Sequence, residues 1–225
     1  MQHQEKFALC YDTNYFLESV ERSPTFPVEK LLTLKTKLVS RSTCETDLNT
    51  LQIIPYVVLV DAKTDRYFIY TRGNAGGEHR LFGVCSVGVG GHVDELPIEG
   101  ENDFFVHLAR EAGRELKEEV GLNEAETFAK VYKALTTDKF YVFQTRTDRV
   151  SRVHVGFCMV IEVNMENISE VEHEIITKGQ WLRVNEIARK YFNNEIQLEE
   201  WSAMFLLNNK AYSHNGVYVP CGRTQ

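Results

Sequence analysis

The sequence predicts an α/β protein in which a mixed sheet is layered with helices. Three observations predict it. Two apolar runs, "LQIIPYVVLVD" and "RYFIYTR", have the length and β-branched content of strands and are joined by the short turn-like "AKTD". Residues 103–120 carry apolar side chains at spacings of three and four. More strand-like runs and two closing helical segments follow, the order of elements in a layered domain.

Length and composition set the bounds. The 225 residues make one large domain or a domain with an extension. Hydrophobic residues are 43% and aromatic residues 11%, ample for a packed core. No run of about 18 apolar residues occurs, so no membrane span is expected. The start, "MQHQEKFALCYD", lacks a basic segment leading into an apolar one, so secretion is not expected. The five cysteines are scattered and never form CxxC, which favours reduced thiols in a cytoplasm over disulfides or a thiolate zinc site. A net charge of −7 makes polymeric nucleic acid a poor partner by charge alone. Small phosphates remain accessible if a cation mediates.

Residues 1–50 read as an N-terminal extension, partly helical, and 51–225 as the main domain. The extension mixes the apolar pieces of "FALCYDTNYFLESV" with a helix in "PVEKLLTLKTKL". After the two strands and the loop "GNAGGEHRLFG", "CSVGVGGHVD" reads as a strand ending in a double glycine. The helix over 103–120 has Asn102 or Asp103 as N-cap and Gly121 at C′. Its apolar stripe is Phe105, Leu108, Ala112, Leu116 and Val120. Strands are expected at "TFAKVYKAL", "KFYVFQT" and "RVHVGFCMVIEV". Helices around 184–192 and 197–209 close the chain, the second with Trp201, Phe205 and Asn208 on one face and Leu198 and Met204 adding apolar area.

The chemistry concentrates in "RELKEEVGL", Arg114 to Leu122. At about 100° per residue, with Glu115 at zero, Glu111 lies near about −40°, Glu118 about −60° and Glu119 about +40°, while the apolar stripe centres at about +80°. The carboxylates therefore form one patch beside the buried face, in the turns where the helix dipole is negative. Like charges at these spacings repel by a few tenths of a kcal/mol each. On spacing alone this is either a solvated acidic face or a site for a hard divalent cation such as Mg²⁺ or Mn²⁺. The glycines of "SVGVGG" tip the reading toward a site, because glycine in a strand often marks close approach to a backbone.

These residues resemble the Nudix hydrolase signature: Gly, five residues, Glu, seven residues, then Arg-Glu-aliphatic-any-Glu-Glu-any-Gly-aliphatic. Arg114, Glu115, Leu116, Glu118, Glu119, Gly121 and Leu122 match its second half, and Gly91 matches its opening glycine. One departure stands out. Between Gly91 and Arg114 lie nine residues more than the pattern has, so its first glutamate has no fixed match. Glu95, Glu99 and Glu101 are the candidates to orient Arg114.

The resemblance implies a Nudix-type α/β/α sandwich and a metal-dependent hydrolase that cleaves a diphosphate bond in a nucleoside diphosphate linked to another group. It implies Glu118 and Glu119 as metal ligands, Glu115 as a further ligand or general base, and the Gly90 carbonyl as part of the shell. Arg114 would orient a carboxylate. Members of the family often draw a base from a later loop; Glu170, Glu172 and Glu174 are available, with Glu174 preferred. The alternative is a catalytically weak, nucleotide-sensing module on the same fold. Homodimers are common in the family, so a homodimer is compatible with this reading.

Other side chains carry weaker signals. His92 fits a variable position after the double glycine, and His154 fits an ordinary strand histidine. Arg72, Arg80, Arg146, Arg149 and Arg152 could meet phosphates, though surface charges are as common. Phe82, Tyr141 and Phe143 could stack on a base, although core packing suits them better. No accessory signature for a particular diphosphate substrate is recognisable.

Overall fold

The computed structural model describes residues 5–21, 34–73, 81–96, 104–137, 139–145, 147, 149–168, 176–208 and 217–220. In chain order, β1 (Phe7–Asp12) and α1 (Thr13–Glu21) precede β2 (Thr36–Ser40) and a single turn, α2 (Arg41–Cys44). Next come β3 (Thr50–Asp61), β4 (Arg66–Arg72) and the short β5 (Cys85–Ser86) and β6 (Gly88–Val89). Then follow α3 (Phe104–Val120), α4 (Glu124–Thr136), β7 (Phe140–Gln144), β8 (His154–Val163) and β9 (Ile176–Leu182). α5 (Val184–Phe192), α6 (Glu200–Asn208) and β10 (Val217–Pro220) complete the order.

The strands join in one mixed sheet with the path β10-β7-β8-β3-β1-β2. β4 branches from β3 and also pairs with β5 and β9, while β6 pairs with β3. β3 and β8 run parallel from Gln52 opposite His154 to Asp61 opposite Val163. All twelve residues of β3 are buried. Its Ile53, Val57 and Leu59 pack in the cluster that holds Leu108, Ala112, Leu116 and Val120 of α3 and Val131 of α4. Its Ile54, Tyr56 and Val58 pack with Ile187 of α5 and with Trp201 and Phe205 of α6. A strand covered on both faces needs apolar residues at successive positions, which is why "LQIIPYVVLVD" lacks alternation. The result is the expected α/β/α sandwich. Among the described residues no helix is long and apolar enough to cross a membrane.

The described part of residues 1–50 is woven into this sheet. β1 lies between β2 and β3, and Leu9 N–H donates to the Val93 carbonyl at 2.7 Å. Cys10 and Cys44, far apart in sequence, meet as buried thiols with sulfurs 3.5 Å apart.

Three expectations for individual elements are corrected. Residues 127–135, read as a strand, lie in helix α4. Their β-branched and aromatic content misleads, but the buried Thr127, Val131, Ala134 and Leu135 recur at helical spacing and Asn123 caps the turn by accepting from Glu126 N–H. The helix expected over 27–38 does not reach its end, because Thr36–Ser40 forms β2 against β1; residues 27–33 lie outside the described residues, as do Asn102 and Asp103. The last helix starts later than 197, because Cys85 N–H donates to Gln197 O at 2.7 Å and Glu199 N–H to Cys85 O at 3.1 Å. That strand-like bridge sets Glu199 at the mouth of α6. The stripe on α3 is buried as expected. Gly121, at φ 70°, ends that helix with its N–H on Lys117 O and Leu122 N–H on Leu116 O.

Asp61 closes the far end of the spine. Its Oδ2 accepts from Thr64 N–H at 2.9 Å and Thr64 Oγ1 at 2.7 Å, and its Oδ1 accepts from Met165 N–H at 3.1 Å. These bonds, Thr64's hydroxyl first and Met165's amide next, hold the Asp61 carboxyl below its usual range. A depressed carboxylate contributes stability above its unfolded pKa of about 3.9 and loses it as pH falls through the folded value. Denaturant midpoints of the wild type and Asp61→Asn should therefore differ most near about pH 7 and converge toward about pH 3. A gap independent of pH would refute this role.

Candidate active site

A cavity of about 340 Å³ opens where α3, the β6 turn, the N-terminal segment and the start of α6 converge. Glu115, Glu118 and Glu119 form one wall. Gly88, Gly90 and Gly91 form the floor. Lys6, Arg41 and Arg72 bring positive charge, and His92, His154, Glu199 and Glu200 also line the space.

The floor is shaped by what glycine lacks. A Cβ on Gly91 would overlap the Glu115 carboxylate, and one on Gly90 would overlap the Pro55 carbonyl. The backbone after β6 thus lies directly against α3. Burial raises the Glu115 pKa against the opposing pull of Arg114.

Arg114 sits at the centre of the acidic wall. Its Nε and Nη2 donate to Glu111 Oε2 at 3.1 and 3.0 Å, Nη2 also to Glu115 Oε1 at 2.7 Å, and Nη1 to Glu118 Oε2 at 2.9 Å. Burial alone would lower its pKa, but Glu115, Glu111 and Glu118 outweigh that and keep it firmly cationic. Glu111, three residues earlier on the same helix, is the partner that a search of the stretched loop overlooks. Glu95 uses its backbone carbonyl on His107 at 2.8 Å, and Glu99 and Glu101 lie outside the described residues.

A second set of lining residues is polar and buried. Glu199 Oε1 accepts from Tyr56 Oη at 2.7 Å, from Ser202 Oγ at 3.1 Å and from Ser86 Oγ. Tyr56 Oη in turn accepts from Gly88 N–H at 3.1 Å, linking this network to the glycine floor. Burial, then the nearby Glu199 charge, pushes the Tyr56 pKa up, so Tyr56 stays a donor. Glu200 collects the hydroxyls of Thr145, Ser151 and Thr147. Burial would lower the Arg72 pKa, yet the acidic groups of Tyr70, Glu199 and Glu119 raise it, leaving a fixed cation in the cavity.

At the N-terminal side, His92 Nε2 and His154 Nε2 face each other at 3.3 Å. His154 Nδ1 lies 2.7 Å from the Val150 carbonyl. Burial, with His154, Arg41 and Lys6 nearby, pushes His92 well below the usual histidine range.

Of the residues singled out by sequence, Gly90, Gly91, Arg114, Glu115, Glu118, Glu119, Arg72, His92 and His154 meet at this cavity. Arg149 and Arg152 are exposed and flank the lining residues Val150 and Ser151 without lining the cavity themselves, and Tyr141 and Phe143 stack in the α5–α6 layer. Glu170, Glu172, Glu174, Arg80 and Arg146 lie outside the described residues. Lys6, Arg41, Glu199 and Glu200 had no motif to flag them; the acidic pair before Trp201 reads as an ordinary helix start. Glu111 was legible as part of the carboxylate patch but not as the partner of Arg114.

No family model matches the chain. Protein YmaB of Bacillus subtilis (strain 168) is 33% identical over 162 residues, 72% of each chain. The chain belongs to the YmaB family. Among solved structures, Tm1382, a candidate Nudix hydrolase, superposes over 91% of this chain and 100% of its own at 23% identity with a TM-score of 0.52. This YmaB-family chain therefore has the Nudix fold, in agreement with its signature residues.

The site of this YmaB-family chain suits a hard cation in kind, since Glu115, Glu118 and Glu119 and the nearby backbone offer oxygen donors. They are not gathered as a closed set. Among the described residues the ligand-type side chains whose donor atoms all lie within 4.8 Å of one another are Glu45, His92 and His154, not the α3 glutamates. Glu115 and Glu118 are instead engaged by Arg114. Glu118, with its side chain half-exposed at 49%, is the most exposed of these carboxylates.

The two floor glycines should separate by experiment. Gly90→Ala meets backbone and should destabilise the fold by about 1–3 kcal/mol. Gly91→Ala meets only a side-chain end and should melt near wild type while binding Mn²⁺ about 10- to 100-fold more weakly. Paired thermal melts and Mn²⁺ titrations check this; wild-type Mn²⁺ affinity in Gly91→Ala would contradict the close packing on Glu115.

Proposed function

We propose that the chain is a metal-dependent hydrolase that cleaves a diphosphate bond in a nucleoside diphosphate linked to another group. The observation that carries this is the shared cavity, lined both by the carboxylates Glu115, Glu118 and Glu119 and by the cations Lys6, Arg41 and Arg72. Its volume suits a small molecule. Glu115, Glu118, Glu119 and the Gly90 carbonyl would hold Mg²⁺ or Mn²⁺. Bound there, the cation supplies charge neutralisation, polarisation of a phosphoryl oxygen and a more acidic water.

The chain's own groups do the rest. Lys6, Arg41 and Arg72 meet phosphate oxygens. Arg114 positions Glu115 and Glu118. Glu115, with its pKa raised by burial, suits a ligand or a base that accepts a proton above the usual carboxylate range. Glu174 is kept as the base offered by a later loop. The same reading places the protein in the cytoplasm, on its scattered cysteines, and accommodates a homodimer.

A second reading, a nucleotide-sensing module with weak turnover, is favoured by Arg114's grip on Glu111, Glu115 and Glu118. A panel of nucleoside diphosphate derivatives assayed with Mg²⁺ and with Mn²⁺ separates the two. Turnover that falls about 100-fold or more in Glu118→Gln and in Glu119→Gln supports the hydrolase. Tight nucleotide binding without product supports the sensor, and fully active variants would refute the hydrolase site.

A further inference from the structure

We propose that Glu45, His92 and His154 form a second metal-binding site, distinct from the α3 glutamates, for a borderline divalent ion of the Zn²⁺ or Co²⁺ class. Three segments of chain supply it: Glu45 follows α2, His92 follows the double glycine, and His154 opens β8. Their donor atoms all lie within 4.8 Å of one another. Two imidazole nitrogens bonded to one tetrahedral ion at about 2.05 Å stand about 3.3 Å apart. The His92 and His154 Nε2 atoms are 3.3 Å apart before any ion is considered.

The tautomer fits as well. A carbonyl oxygen can only accept, so the 2.7 Å contact to Val150 fixes the proton of His154 on Nδ1 and turns a lone pair on Nε2 toward His92. This is the outer hydrogen bond that orients a ligating histidine. Two imidazoles and one carboxylate favour Zn²⁺ or Co²⁺, whereas Mg²⁺ prefers an all-oxygen shell. Arg41 and Lys6 line the same cavity and oppose a bare cation there. They also favour an anion beside the ion, since they line the cavity together with His92 and His154. The competing account is a simple hydrogen bond, with one proton shared between the two rings. A bound ion would tie the N-terminal segment to β8 across the sheet.

The test is Zn²⁺ binding in excess Mg²⁺ by equilibrium dialysis, with wild type, His92→Gln, Glu45→Gln and the double variant Glu118→Gln/Glu119→Gln, each checked for fold by circular dichroism. The proposal expects one Zn²⁺ per chain in wild type and in the double variant, and at least about tenfold weaker binding in His92→Gln and Glu45→Gln. Zn²⁺ lost with the α3 double variant, or retained by His92→Gln, overturns it, whatever the outcome for hydrolysis. Should a variant misfold, ¹⁵N spectra of the wild-type histidines decide: Zn²⁺ must shift both Nε2 signals, and unmoved signals leave only the hydrogen bond.

Discussion

The site depends on four carboxylates crowded along one side of α3 and on the guanidinium that holds them. Glu111, Glu115, Glu118 and Glu119 lie within nine residues of a helix whose C-terminal end already repels anions. Each charge near that end costs about 0.3–1 kcal/mol, and each like pair adds a few tenths. Glu111 and Glu119 are buried, so their costs exceed these surface values. Arg114 bonds three of the four and is itself kept charged by them. The helix is thus stable as an ion cluster, and Glu118 is its most exposed member.

The rest of the fold presents other groups to that wall. β3, buried on both faces, carries Tyr56 to the Glu199 network, and β6 pairs with β3 to bring the glycine floor beneath Glu115. β1 bonds the loop after Gly91 through Leu9 and Val93, which sets Lys6 beside the cavity. Arg41 N–H is bonded to the Lys6 carbonyl at 2.9 Å, so the two cations are placed together. The cavity therefore gathers carboxylates anchored in α3 and cations anchored in the N-terminal segment.

Much of this was legible in the sequence, and the rest was hidden for physical reasons. The buried stripe of α3 and its glycine stop follow from spacing and from the conformation Gly121 must adopt. β3 was legible as an apolar run, although only the structure shows that both faces are covered. α4 was misread because Thr127, Phe128, Val131 and Tyr132 are residue types common in strands, although its four buried positions repeat with helical period. Arg114's partner Glu111 sits one turn away on the same helix, but a pattern with a gap directs attention to the loop. Lys6 and Arg41 were illegible as site residues because only the antiparallel pairing of β1 with β2 and β3 brings them to the cavity.

The most direct test of the account is the thermal stability of Arg114→Gln, measured with EDTA and with Mn²⁺. If Arg114 is the internal cation of the α3 cluster, the variant melts well below wild type in EDTA, and Mn²⁺ raises its midpoint by more than it raises that of the wild type. An unchanged midpoint in EDTA, or an equal Mn²⁺ shift in both proteins, would contradict the claim that guanidinium and metal neutralise the same carboxylates.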